Sequence, residues 1–108
     1  MVNNFKDMSM KHFIIECMIY KRIKELSHKG NCEFDTEGNC GIFDAVDWDS
    51  GLVYEVLPNE PTEFVKQAKL RKYLKYGGIR DIIFVNAYTF SKRASMASWY
   101  EKIKELVV

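Results

Sequence analysis

The stretch that most constrains the fold is GIFDAVDWDSGLVYEVLPN, residues 41–59. Two runs that alternate apolar and polar residues flank a turn-forming WDSG, so residues 41–48 and 52–57 read as an antiparallel hairpin. In the first strand Ile42, Asp44, Val46 and Trp48 share one face, and Phe43, Ala45 and Asp47 the other. In the second, Val53, Glu55 and Leu57 share a face. Loop length sets the register. A four-residue loop, WDSG, pairs residue 47 with 52 and puts Asp44 opposite Glu55, with both carboxylates on one face. A three-residue loop, DSG, would send them to opposite faces. An acid among apolar neighbours on a strand face needs a partner, a proton or a metal, which makes Asp44 and Glu55 candidate functional residues.

The rest of the chain supplies what would cover this hairpin. Residues 9–28 read as a helix with Ser9 as cap, a stripe of Phe13, Ile15, Ile19, Ile23 and Leu26, and Gly30 as its end. Residues 32–36 suit a short edge strand, followed by a TEGN turn in which Gly38 can take positive φ. Asn59 and Pro61 open a second helix that runs to about Tyr76 and stops at Gly77-Gly78. The unbroken apolar run Ile82–Val85 predicts a strand buried on both faces. A last helix starts near Ser91 or Ser95 and ends at Leu106, with Trp99, Ile103 and Leu106 on its apolar side.

At 108 residues, 47% of them apolar, the chain (1–108) reads as a single domain with a real core. No apolar run approaches the ~20 residues a membrane span needs, and the N-terminus lacks a signal-peptide pattern; no membrane partner and an intracellular location are expected. The three cysteines, Cys17, Cys32 and Cys40, form no C-x-x-C, which argues against zinc. Cys32 and Cys40 either pair across a hairpin or stay reduced. A net charge of +1 selects no partner, but its distribution is polar. No Lys or Arg occurs between Lys29 and Lys66, and KQAKLRKYLK then carries Lys66, Lys69, Arg71, Lys72 and Lys75 without an acid. An acidic middle beside a basic helix suits a site that holds a cation and grips a polyanion, as it suits a salt-bridged surface; on its own the basic helix reads as a solvated face, and only beside an acidic site equally as a nucleic-acid groove. DWDSG reads as a turn rather than a calcium loop, because later ligands are missing.

The element order, with acids at these places, resembles the PD-(D/E)XK nuclease superfamily, which includes restriction enzymes, archaeal Holliday-junction resolvases and RecB-like nucleases. The resemblance spans Lys11 to about Tyr88. Glu16 stands at the family's first-helix Glu, Asp44 in GIFDAV at its strand Asp, and Glu55 in VYEVL at the Glu of Glu-x-Lys. It implies an α/β fold with a restriction-endonuclease-like α-β-β-β-α-β(-α) core, a mixed central sheet flanked by helices. It also implies Mg²⁺- or Mn²⁺-dependent hydrolysis of DNA phosphodiesters, with Asp44, Glu55 and the Val56 carbonyl at the metal and Glu16 assisting. The family's Lys would fall at Leu57, a departure from the pattern. Lys66 or Lys69 on the next helix would replace it, as in some relatives, and Gln67 matches a Gln that RecB-like members keep, whereas Arg71 stands where they have Tyr. Lys66, Gln67, Lys69, Arg71 and Lys72 would face duplex or branched DNA, and a homodimer would set two cuts in a symmetric relation. A catalytically inactive nuclease-fold module that binds DNA or protein is the alternative that Leu57 favours.

Overall fold

The computed structural model describes the backbone of residues 2–38 and 40–108 and the side chains from Met10 onward, except that of residue 39. The elements are α1 (Val2–Glu25), β1 (Gly30–Asp35), β2 (Ile42–Asp47), β3 (Leu52–Leu57), α2 (Glu63–Tyr73), β4 (Asp81–Asn86), a 3-10 turn (Ala87–Thr89) and α3 (Met96–Leu106). The strands form one mixed sheet in the order β1-β2-β3-β4. β1-β2 and β2-β3 are antiparallel, and β3-β4 is parallel. A parallel neighbour cannot be reached by a tight turn, and α2 supplies the crossover. The α/β class and the mixed sheet flanked by helices are as expected. Among the described residues no helix is long and apolar enough to cross a membrane.

Two cores cover the two faces of the sheet. On one, Ile15, Ile19 and Ile23 of α1 meet Trp99 and Ile103 of α3 over Ala45, Tyr54, Val56 and Val85. On the other, Tyr73 of α2 and Ile79 cover Phe43, Val46, Val53 and Ile82. β4 is an edge strand, yet Ile82 and Phe84 pack on the α2 side and Ile83 and Val85 on the α1 side, so its apolar run is used on both faces.

Several boundaries differ from the sequence-based expectation. α1 starts before Ser9, so Ser9 does not cap it, and Phe13 is 60% exposed rather than part of the buried stripe. The helix stops before Gly30. Ser27 takes φ 63°, with His28 N–H donating to Ile23 O and Ser27 N–H to Lys24 O, a Schellman pattern closed by a serine. Gly30 instead lets the chain pass under α1, where a Cβ would lie 2.8 Å from both Val46 O and Ile23 Cγ2. In the β1-β2 turn Glu37, not Gly38, takes positive φ. Thr62, not Asn59, caps α2 by accepting from Val65 N–H, because Pro61 and its neighbours stay outside the helix. α2 ends at Tyr73, ahead of Gly77-Gly78. α3 is capped by Ser95, and the core position expected of Leu106 belongs to Val107.

The β2-β3 turn is where local chemistry and packing meet. Asp47 is fully buried; its Oδ1 accepts from Asp49 and Ser50 N–H and its Oδ2 contacts His28 Nδ1 at 2.7 Å. Asp49 accepts from Lys29 N–H. DWDSG is therefore a turn whose carboxylates are spent on backbone and on His28. Gly51 closes it at φ 74°, and its carbonyl takes Arg80 N–H, tying the hairpin to the start of β4. A Cβ there would meet Gly78 O at 2.7 Å. Gly51→Ala is expected to destabilise the fold by about 2–4 kcal/mol, the sum of a left-handed backbone and a backbone clash; urea denaturation measures it.

His28 sits at the mouth of this turn. Its hydrogen bond to Asp47, aided by the charges of Asp47 and Asp49 and opposed by burial, raises its pKa. A raised imidazole contributes stability below about 6.5, its unfolded value, and loses it as pH rises through the folded value. The melting-temperature gap between wild type and His28→Gln is thus expected to be widest near pH ~6 and to shrink in alkaline buffer. Thermal melts across that range read it directly.

Candidate active site

Of the two registers that loop length allowed, the four-residue-loop register is present. Asp47 pairs with Leu52, Val46 with Val53 and Ala45 with Tyr54, leaving WDSG as the loop. The same register carried one step on sets Asp44 opposite Glu55, but the ladder stops short of them. Like charges directly opposite destabilise a strand pair, and here the strands part. The Val56 N–H, released from the ladder, donates to Asp44 Oδ2 at 2.8 Å.

A matched break in β1 and β2 then turns Asp44 towards α1. Phe34 and Phe43 oppose each other and pack on the α2 side, while Cys32 and Ala45, two residues along, turn to the α1 side. Strict alternation forbids this. Glu33 at φ 48° makes the reversal without loss of register, and Asp44 lies across from it. The expectation that register alone would bring both carboxylates to one face is thus corrected. Asp44 meets residues of α1, and Glu55 meets residues of α2.

On the α1 side four side chains converge. His12 Nε2 lies 2.5 Å from Glu16 Oε2 and 3.4 Å from Asp44 Oδ1. With Glu33 they offer ligand atoms all within 4.8 Å of one another. The hydrogen bonds to Asp44 and Glu16 raise His12 to about 10, so it stands as an imidazolium at neutral pH. Burial raises Glu16 to about 7; His12 opposes the shift, while Glu33 and Asp44 add to it. Glu16, placed by sequence at the edge of the apolar stripe, is buried at 2% exposure.

On the α2 side Glu55 is also buried. Its Oε2 accepts from Lys69 Nζ at 3.0 Å and from the Tyr73 hydroxyl at 2.9 Å. Its Oε1 is buried with no hydrogen-bond partner. Burial and then the Asp44 charge push the Glu55 carboxyl up, against the pull of Lys69 and Tyr73.

The other predicted residues are sorted by the helix. Lys69 turns inward to Glu55, whereas Lys66 pairs with Glu60 at 3.3 Å. Gln67 donates to Glu63, and Arg71 and Lys72 are exposed. The Val56 side chain lies in the α1-side core. His12 and Glu33 were missed by sequence reasoning. His12 had a signal, its spacing of four from Glu16 on one helix; Glu33 had none, since nothing local announces a non-glycine residue at positive φ. The three thiols are free, and burial pushes Cys32 up to about 12. A groove of about 660 Å³ lined by Met10, Lys11, Ile14, Lys92, Ala94, Met96 and Trp99 contains none of the site carboxylates.

Carboxylate oxygens are the donors that Mg²⁺ and Mn²⁺ take. Asp44, Glu16 and Glu33 fit such an ion, and the His12 cation competes with it for Asp44 and Glu16; Glu55 is not part of this cluster, and its Oε1 is left without a partner. Comparison of the chain with protein-family models, with curated proteins and with solved structures finds no match.

Proposed function

We propose that the chain is a Mg²⁺- or Mn²⁺-dependent nuclease of the PD-(D/E)XK kind acting on DNA, with a restriction-endonuclease-like core. The observation that carries this reading is the convergence of Asp44, Glu16 and Glu33, beside a buried Glu55 that has one unpartnered oxygen and Lys69 on the other. The element order α-β-β-β-α-β-α with β4 parallel to β3 agrees with the resemblance. Asp44 and Glu55 would hold the ion, and Glu16 would orient a water beside it. When bound, the ion supplies a deprotonated water and charge stabilisation at the phosphate. Of the two lysines in reach by sequence, Lys69 is the one that contacts Glu55, which supports giving it the role of the missing Lys, steadying charge that develops in attack. The Val56 backbone holds Asp44 in place through its N–H.

A second reading is favoured by charge. His12 and Lys69 already neutralise part of the carboxylate set, and Leu57 stands at the motif's Lys position. A catalytically inactive binding module needs no more. Calorimetric titration with Mg²⁺ and Mn²⁺, followed by cleavage assays on linear and branched DNA, separates the two. Metal binding with metal-dependent cutting supports the nuclease, and no heat at millimolar metal sinks it.

A further inference from the structure

We infer that this site takes nucleic-acid strands with unpaired bases, and that Phe64 and Tyr88 are stacking platforms for bases beside the cleaved link. The inference rests on the nuclease reading and narrows its substrate class. Phe64 and Tyr88 are the most exposed aromatic side chains among the described residues, at 79% and 77%. Each exposed ring sits on a backbone that is tied down. Phe64 is in the first turn of α2, whose start is pinned by the Thr62 cap. Tyr88 is in the 3-10 turn after β4, where its N–H donates to Asn86 Oδ1 at 3.0 Å and Thr89 Oγ1 donates to Asn86 O at 2.8 Å. A fixed backbone presenting a free ring loses little entropy when a base lands on it.

Topology brings both rings to the site's end of the sheet. β3 and β4 run parallel and finish together, with Leu57 paired to Asn86. Glu55 is two residues before the end of β3, and Tyr88 is two residues beyond the end of β4. Phe64 precedes Lys69, the lysine on Glu55, by five residues of α2, a rise of about 7.5 Å. Arg71 and Lys72, exposed beyond Lys69 on α2, suit a phosphate backbone. Bases in an intact duplex are already stacked and have no face to offer; flaps, single strands and opened junctions do. Base-aromatic stacking is indifferent to sequence, since every base has a π face.

The experiment is fluorescence anisotropy in EDTA, so that nothing is cut, with a labelled oligothymidylate of about 20 nucleotides and a blunt duplex of equal length. Phe64→Ala and Tyr88→Ala are each expected to weaken single-strand binding about tenfold while duplex binding stays within about twofold, and Phe64→Trp and Tyr88→Trp should keep it. Both side chains are exposed, so the variants are expected to fold as wild type. Three results overturn the inference: equal losses on duplex, no loss on the single strand, or wild-type protein that does not bind it. A wild-type oligomer that Phe64→Ala or Tyr88→Ala dissociates also overturns it, because the rings would then belong to a protein interface. Metal titration of the same variants reads the carboxylates separately. Ring-dependent strand binding without metal uptake would leave the platforms standing and remove the nuclease, and metal-dependent cutting indifferent to both rings would do the reverse.

Discussion

Asp44→Asn is expected to abolish Mg²⁺ and Mn²⁺ binding and to lower metal-dependent cleavage at least about a thousandfold, while the protein melts close to wild type. The asparagine keeps an oxygen that can accept from Val56 N–H, so the parted end of the hairpin stays tied. What is lost is charge. Among the described residues Asp44 is the carboxylate that acts on both layers, touching His12 and raising Glu55 and Glu16. Asp44→Ala is a different experiment. It also leaves the Val56 N–H without its acceptor, which costs about 1–3 kcal/mol, so its loss of activity would mix folding with chemistry. Calorimetry, a melt and a cleavage assay on the Asn variant test the reading together. Metal affinity within about threefold of wild type would remove Asp44 from the site.

Lys69→Met is expected to lower cleavage about a hundredfold and to destabilise the fold by about 2 kcal/mol, whereas Lys66→Met leaves both near wild type. Lys69 donates to the buried Glu55; Lys66 pairs with exposed Glu60, where ion pairs are worth little. The stability figure lies below that for a fully buried pair because the Lys69 side chain is 29% exposed. The sign of its pH dependence follows from Glu55. Burial already holds that carboxyl above its ordinary value, and removing Lys69 raises it further. A carboxyl with a raised folded pKa favours the fold below its unfolded value, about 4.3, and that contribution is lost as pH rises through the folded value. The cost of Lys69→Met should therefore be small in acid and full in alkaline buffer. In a Glu55→Gln background the same substitution should cost little, since no buried charge is left behind. Chemical denaturation at two pH values for the four proteins measures this cycle. An equal cost in both backgrounds would mean that Lys69 does not act through Glu55.

The two lysines also show what tertiary structure adds. Both stood out in the sequence as candidate site lysines, because both lie on the helix that follows β3. Which one reaches Glu55 depends on how α2 is rotated on the sheet. That rotation is set by Tyr73, buried at 3% exposure between Phe43 and Glu55, and by the Thr62 cap, which starts the helix later than Asn59 would have. Neither is a property of the lysines or of their neighbours in sequence.

By itself the sequence determined the order of elements and narrowed the hairpin to two registers, the four-residue loop that sets Asp44 opposite Glu55 and the three-residue loop that does not; the structure has the first. These follow from short-range rules: turn residues select loop length, loop length sets pairing, and apolar periodicity selects helix or strand. Only the tertiary structure decided where the carboxylates turn. Two acids facing each other across strands repel, and a reversal at Glu33 sends Asp44 to His12 and Glu16 while Glu55 goes to Lys69 and Tyr73. That choice balances charges carried by α1 and α2, elements far from the hairpin in sequence, so no local pattern could have held it.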